Sequence, residues 1–335
     1  MKKQTIRKTG LTLAVLAGII AGTALTVSAE EEERVLRYGY TAANSDVLPG
    51  LQGIALQQGF FEEELAKVNA VFEPIPFANA GPAINQALAS DELDIGNLGD
   101  VPSAVAKAGG ADTVLIDAQP SDYGTHLVIR NDLDISQVSE LKCLTVAVQT
   151  GSYMQRILYQ ILEKNGITPE DVELVNMSEV DAANAIAGGC IDATPVSEMK
   201  GVTLETSGSA QLLFDTEGDP ELARITTWVA RSEYAEENGD IITAYFKALL
   251  RAQEYALENP EELREIYIAS GTSEEIIDQV YPELTDFCTT VGATEETLSN
   301  YQAVSDFLLE NELTTEELTI SEWFHGEFFE NAQES

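Results

Sequence analysis

The sequence predicts an α/β protein of two similar lobes, each a mostly parallel sheet flanked by helices. Length and composition allow it: 335 residues, 44% hydrophobic and 22% charged, are ordinary for a globular chain with material for two cores. The pattern points the same way, because short strand-like apolar runs alternate with longer segments of helical spacing. A repeat then doubles the unit. Ala87-Leu88-Ala89-Ser90-Asp91-Glu92-Leu93-Asp94-Ile95 returns as Ala185-Ile186-Ala187-Gly188-Gly189-Cys190-Ile191-Asp192-Ala193, a constant offset of 98 positions from 87 to 185. Both copies read Ala-x-Ala, three spacers, an aliphatic residue and Asp. Upstream, a strand at 36–40 and a helix over 44–61 echo a strand at 144–148 and a helix over 152–166. Two copies of strand–helix–strand–helix–strand make two lobes rather than a solenoid.

Residues 1–29 read as a leader rather than as fold. Lys2, Lys3, Arg7 and Lys8 form a basic start, 11–25 is an apolar run, and Val27-Ser28-Ala29 supplies small residues for cleavage after Ala29. The run is short for a membrane span, and no cysteine lies near the cleavage site to carry a lipid anchor. Loss of the four cations takes the net charge from −39 to −43. So acidic a surface repels nucleic acid and anionic membranes. The acidic residues crowd at 30–33, 62–64, 233–240 and 310–317, as on solvated helix faces and termini.

The folded domain of the mature chain is expected to begin at Arg34. Residues 35–40 alternate as a strand, and 41–46 form a polar turn rich in capping side chains. Leu48, Leu51, Ile54, Ala55 and Leu56 then give a helix face running to Gly59, and a strand follows at 71–76. Ala83, Ala87 and Leu88 recur at helical spacing until Ser90-Asp91, and 93–98 is a short strand. Gly99-Asp100-Val101-Pro102-Ser103 opens another helix, with Asp100 suited to the N-cap and Pro102 to the first turn. A helix N-terminus beyond the carboxyl end of a strand suits an anion or a polar head group. Strands at 113–118 and 123–129 lead across to the second lobe near 119–125. There a short helix at 137–141, a strand at 144–148 and a helix capped by Thr150 or Ser152 repeat the order. Strands at 191–193, 211–214 and 225–230 complete the sheets. The remainder is helical, at 241–258, 294–310 and 321–331, with Asn259-Pro260-Glu261-Glu262 ending one helix and beginning the next. Phe324, Phe328 and Phe329 read as packing anchors.

Several of these stretches resemble one family. Gly39-Tyr40 after the first strand, A-L-A-S-D-E-L-D-I-G-N-L-G-D-V-P at 87–102, V-A-V-Q-T-G-S at 146–152, I-D-A at 191–193 and E-N-P-E-E at 258–262 look like the sulfonate/taurine/nitrate group of ABC-transporter substrate-binding proteins. They occur in the right order over nearly the whole mature chain. The resemblance implies a two-lobed periplasmic-binding-protein fold of type II, with lobe 1 at 34–122 and 225–335, lobe 2 at 123–224, and a ligand cleft between them. It implies a periplasmic, monomeric protein without a cofactor. Such a protein captures a small anionic or zwitterionic organosulfonate and delivers it to a membrane permease and its ATPase. Nitrate, a thiamin-type pyrimidine, or a sensory role are the alternatives it leaves open.

On this basis the candidate contacts are Asn44, Ser45, Asp100, Val101, Ser152 and Tyr153, with Thr194, Glu198 and Trp228 behind them. The loop after Asp192 departs from the family. Thr194-Pro195-Val196-Ser197-Glu198-Met199 stands where many sulfonate binders carry tryptophans and Asp-Pro. A carboxylate in an anion pocket requires a partner. Glu198 therefore turns to solvent, or Glu198 or Asp100 receives the ammonium of a zwitterion, or the ligand is not a sulfonate. In the family fold the strands that follow Cys143 and Cys190 are neighbours, which implies either a bridge between the two cysteines or two buried thiols. Cys288 is left over. No nucleophile elbow, phosphate loop, dinucleotide fingerprint or metal-ligand cluster is present, and His126 and His325 are the only histidines. An enzyme and a zinc site are therefore not expected. The related pyrimidine-synthesising enzymes carry a cysteine-rich motif that this chain lacks.

Overall fold

The computed structural model describes residues 33–42, 45–78, 80–120, 124–219, 221–271, 273–281 and 290–334. The expected leader at 1–29, the candidate contact Asn44 and Cys288 lie outside them. The first series runs β1 (Arg34–Thr41), α1 (Gly50–Gln57), α2 (Phe60–Ala66), β2 (Ala70–Phe77), α3 (Ala80–Ala89), β3 (Ile95–Gly99), α4 (Asp100–Ala108) and β4 (Thr113–Pro120). The second runs β5 (Thr125–Arg130), β6 (Thr145–Val148), α5 (Tyr153–Lys164), β7 (Glu173–Asn176), α6 (Glu179–Ala187), β8 (Ala193–Ser197), α7 (Glu198–Thr206) and β9 (Ala210–Asp215). After β10 (Ile225–Arg231) come α8 (Ser232–Glu237), α9 (Gly239–Glu258), α10 (Pro260–Ala269), α11 (Glu274–Val280), α12 (Glu295–Glu310), α13 (Ile320–Trp323) and α14 (Glu327–Gln333).

The strands form two five-stranded sheets of one plan, ordered β2-β1-β3-β10-β4 and β7-β6-β8-β5-β9. In the first, β1 is parallel to β2 and β3, whereas β10 is antiparallel to β3 and β4. In the second, β6 is parallel to β7 and β8, and β5 is antiparallel to β8 and β9. Each antiparallel strand is the one that arrives from the other sheet. The chain thus crosses twice, before β5 and before β10.

Side chains alternate between the two faces of each strand, and each sheet accordingly has two cores. Leu36, Tyr38 and Tyr40 of β1 pack with Ile54, Phe61, Tyr245 and Phe246, while Leu93, Leu98 and Leu115 pack with Ile84, Tyr301 and Trp323 on the other side. In the second sheet Leu127, Val146 and Val148 face Ile157 and Leu158, while Val128 and Ala147 face Ile186 and Val196.

The 98-residue echo has a structural meaning. Asp94, just before β3, accepts the amide of Arg37 in β1 at 2.9 Å and pairs with the guanidinium of Arg231 at the end of β10. Asp192, just before β8, accepts the amide of Thr145 in β6 at 2.8 Å and pairs with Arg130 at the end of β5. Each aspartate locks the strand beside it to the strand that crosses over.

Several expectations change, among them the helix over 321–331, which is two, α13 and α14, and the strand at 191–193, which is β8 at Ala193–Ser197. The helix expected over 44–61 begins only at Gly50, whose φ of 64 turns the chain into α1, and it breaks at Gly59, whose φ is 76. Such angles favour glycine. The N-cap of α4 is Gly99 rather than Asp100, which is the first helical residue. Cys143 and Cys190 are neither bridged nor buried: both are exposed free thiols. The amide of Cys143 bonds to Asp171 beside β7, while Cys190 lies in the turn that leads to β8. The two therefore flank β6 on opposite sides. No helix among the described residues is long and apolar enough to cross a membrane.

Candidate functional site

Open α/β sheets place ligands beyond the carboxyl ends of their strands, where the strand order reverses. In the first sheet that point lies at β1, between β2 and β3, and a cavity of about 180 Å³ opens there. Its floor is a cross-strand row. Trp228 of β10 stands opposite Asn97 of β3 on one side and Asp117 of β4 on the other, and all three line the cavity. Alternation along β10 adds Thr226 and, just before the strand, Arg224. Tyr38 and Tyr40 contribute from β1, and Tyr267 from α10.

The first turn of α1 closes one side. Pro49 is its N-cap, and Gly50, Leu51 and Gln52 line the cavity. The first N–H groups of a helix have no acceptor within it and carry partial positive charge, so this turn suits an anion. The aromatic wall is held by hydrogen bonds. The Trp228 indole donates to the Tyr38 hydroxyl at 2.9 Å, Tyr40 donates to the carbonyl of Asp46 at 2.5 Å, and Gln52 donates to Tyr245 at 3.3 Å.

Two charged residues complete the lining. Arg224 is half-buried. Its guanidinium lies 4.9 Å from the centre of the Tyr153 ring, and Nη1 donates to the Tyr153 hydroxyl at 3.4 Å. Asp117 is 3% exposed. Its Oδ1 accepts from the Ala118 amide at 2.8 Å and from Gln119 Nε2 at 2.9 Å, and its Oδ2 accepts from the Gly292 amide at 3.3 Å. Burial pushes the Asp117 carboxyl up to about 6, against these hydrogen bonds, which favour the charged form.

Of the candidate contacts among the described residues, Trp228 lines the cavity and the others do not. Ser45 donates to the carbonyl of Ala269 at 3.0 Å and accepts from Val47, fastening the turn before α1 to α10. Ser152 caps α5, accepting from Gln155 and donating to Gln149. Tyr153 packs against cores of both sheets and borders the cavity through Arg224. Val101 at 2% and Thr194 at 1% exposure belong to the packed interior. Glu198 is half-buried and accepts from the amide of Gly124 at 2.8 Å, so it anchors the crossing chain; burial raises its pKa.

Asp100 departs furthest from expectation. It is wholly buried and forms an ion pair with the equally buried Arg156 of α5 at 2.9 Å, while also accepting from Ile225 and Val101. Arg156 donates in addition to Ala223 and Gln160. The carboxylate is occupied within the protein, tying α4 of one sheet to α5 of the other. Among the described residues no group of three or more His, Cys, Asp or Glu is placed to hold a metal ion.

The residues that sequence reasoning missed are Arg224, Asp117, Asn97, Gln52 and the two β1 tyrosines. Arg224 left one signal: it is one of only 18 cations in a chain with 57 acidic residues, and it immediately precedes the return strand.

Comparison with known proteins gives a consistent picture. The model of the NMT1/THI5-like family matches residues 53–263. A protein of Escherichia coli (strain K12) named for binding aliphatic sulfonates is 27% identical over 228 residues, 68% of each chain. The taurine-binding periplasmic protein of the same organism is 31% identical over 186 residues, which is 55% of this chain and 57% of that protein. Among solved structures, the alkanesulfonate-binding protein SsuA from Xanthomonas axonopodis pv. citri, bound to MOPS, superposes with a TM-score of 0.72 at 22% identity, over 87% of this chain and 98% of that one. The desulfurization enzyme DSZB superposes with a TM-score of 0.70 at 16% identity, over 90% of this chain and 99% of that one.

Proposed function

The chain belongs to the NMT1/THI5-like family, and on that premise we propose that it is the solute-binding protein of an ABC importer, exported to the periplasm after cleavage behind Ala29. It captures a small organosulfonate, anionic or zwitterionic, between lobe 1 (34–122 and 225–335) and lobe 2 (123–224), and hands it to a permease and its ATPase. The observation that carries this reading is the cavity at the ends of β1 and β3, where the first turn of α1 and the guanidinium of Arg224 meet an aromatic wall. A tetrahedral, strongly acidic head group is an acceptor only. It suits backbone N–H groups and a guanidinium, while the wall covers its hydrocarbon part.

Arg224 precedes β10 and touches Tyr153 of α5, so it belongs to the chain that joins the two sheets. A ligand held by Arg224 and by α1 therefore favours the arrangement in which both approach it, and closure follows from that differential contact. The chemistry ends at binding. The same fold serves a desulfurization enzyme, but no cysteine, serine or histidine lines this cavity among the described residues. The protein acts as a monomer.

The test is calorimetric titration of protein freed of ligand by unfolding and refolding. The panel holds methanesulfonate, longer alkanesulfonates, taurine, nitrate and an aminopyrimidine. At least one sulfonate should bind, and Arg224→Ala should weaken it by about tenfold or more, the worth of a hydrogen bond between charged groups. Silence across every sulfonate overturns this reading.

A further inference from the structure

The anion site leaves one lining group without a task. Asp117 is a buried carboxylate in the cavity wall, and its three hydrogen bonds come from neutral amides: Ala118, Gln119 and Gly292. No lysine, arginine or histidine among the described residues forms an ion pair with it. Its neighbours differ from those of the other buried aspartates, for Asp94 holds two arginines and Asp100 holds Arg156. A buried carboxylate without a counter-cation is unfavourable, and the nearest open space is the cavity itself. Next to it in the cross-strand row stands Trp228, with Tyr38 and Tyr40 beyond. Aromatic rings attract cations as a carboxylate does.

Charge is also ordered along the site. Arg224, just before β10, shares one face with Thr226 and Trp228 by alternation, and Asp117 lies beside Trp228. The cavity is thus positive at the Arg224 end and negative at the Asp117 end. We infer that Asp117, with Trp228 and the β1 tyrosines, forms a subsite for a ligand ammonium, so that the cavity takes a zwitterion whose anionic head lies on α1 and Arg224. This rests on the proposed anion site and narrows its ligand class. It also moves the ammonium partner from Glu198 and Asp100, which are occupied elsewhere, to a residue of β4.

The experiment compares matched ligands that differ only in the cationic group: 2-aminoethanesulfonate against 2-hydroxyethanesulfonate, and 3-aminopropanesulfonate against 3-hydroxypropanesulfonate. In the wild-type protein the amine of at least one pair should bind about tenfold tighter or more. In Asp117→Asn the ratio of amine to hydroxyl affinity should fall below about threefold. Equal or tighter binding of both hydroxyl compounds by the wild type overturns the ammonium subsite and leaves the sulfonate reading standing. The wild-type comparison alone decides this, even if the variant does not fold. Binding of an aminopyrimidine that is lost in Asp117→Asn, with no sulfonate bound, keeps the subsite and overturns the sulfonate reading. Failure of every amine-bearing compound overturns the subsite.

Discussion

Asp100 is one of the candidate contacts read from the sequence, and its burial turns it into a test of how the two sheets are held together. Asp100→Asn leaves the shape of the side chain and removes its charge. Arg156, at 0% exposure, then keeps its positive charge with only Ala223, Gln160 and Glu221 oxygens as acceptors. Removing one partner of a buried pair costs about 3–5 kcal/mol, because the other charge stays buried. Replacing both partners costs far less, since neither charge then needs solvation, so Asp100→Asn/Arg156→Met should recover most of the loss. Urea unfolding of the two single variants and the double variant, read as a double-mutant cycle, measures the coupling. A coupling of several kcal/mol is expected, with ligand affinity changed less than about threefold. Asp100→Asn that unfolds like the wild type yet binds ligand tenfold more weakly would refute the reasoning and return Asp100 to the ligand site.

The other predictions concern the echo, the acidic wall and the cysteines. Asp94→Asn should destabilise by about 3–5 kcal/mol, because Asp94 is buried and holds Arg37 and Arg231. Asp192→Asn should lose only about 1–2 kcal/mol, because its side chain is 16% exposed and its arginine contact is longer, at 3.3 Å; the two denaturation midpoints should rank accordingly. The carboxyl of Asp117, raised from 3.8 to about 6, opposes folding once ionised. Its contribution is most favourable below the unfolded value and is lost as the pH rises through 6. Ligand-free wild type should therefore gain about 1.4 kcal/mol relative to Asp117→Asn between pH 7 and pH 5 in urea unfolding. Cys143 and Cys190 carry free thiols, so reductant should leave Tm unchanged. A fall of several degrees would restore the bridge, whose loss would cost about 2–5 kcal/mol.

What was legible in the sequence was the part that repeats. The alternation of strands and helices, the doubled order and the family followed from local pattern, and the clearest signal, the Ala-x-Ala to Asp echo, marks a device of the fold. A carboxylate that receives a neighbouring strand amide and a crossing arginine is needed once per sheet, so it appears at both Asp94 and Asp192. The same logic explains why most of the candidate contacts lie outside the cavity. Asp100 and Ser152 do stand at helix starts, Ser152 as the cap and Asp100 as the first helical residue, but Arg156 and Gln149 take up their side chains. Whether a helix end meets a partner or an open cavity depends on residues far away in the chain, and no local spacing encodes it.

The residues that line the cavity have no second copy in an equivalent setting. Asp117 meets an aspartate at the offset of 98, Asp215 of β9, but that copy is exposed beside His126 and not buried in a cavity wall; Arg224 sits on a crossing segment, and the α1 turn is set by Pro49-Gly50. In a chain built by doubling, residues whose two copies keep the same partners report architecture, and those whose setting differs between the copies carry the difference between one ligand and another. Asp117 is a telling case, because its neutral hydrogen-bond partners set it apart from both echoed aspartates, which hold arginines. A carboxylate that the fold does not neutralise sets this cavity apart from a plain anion pocket, and the proposed ammonium subsite is tested there first.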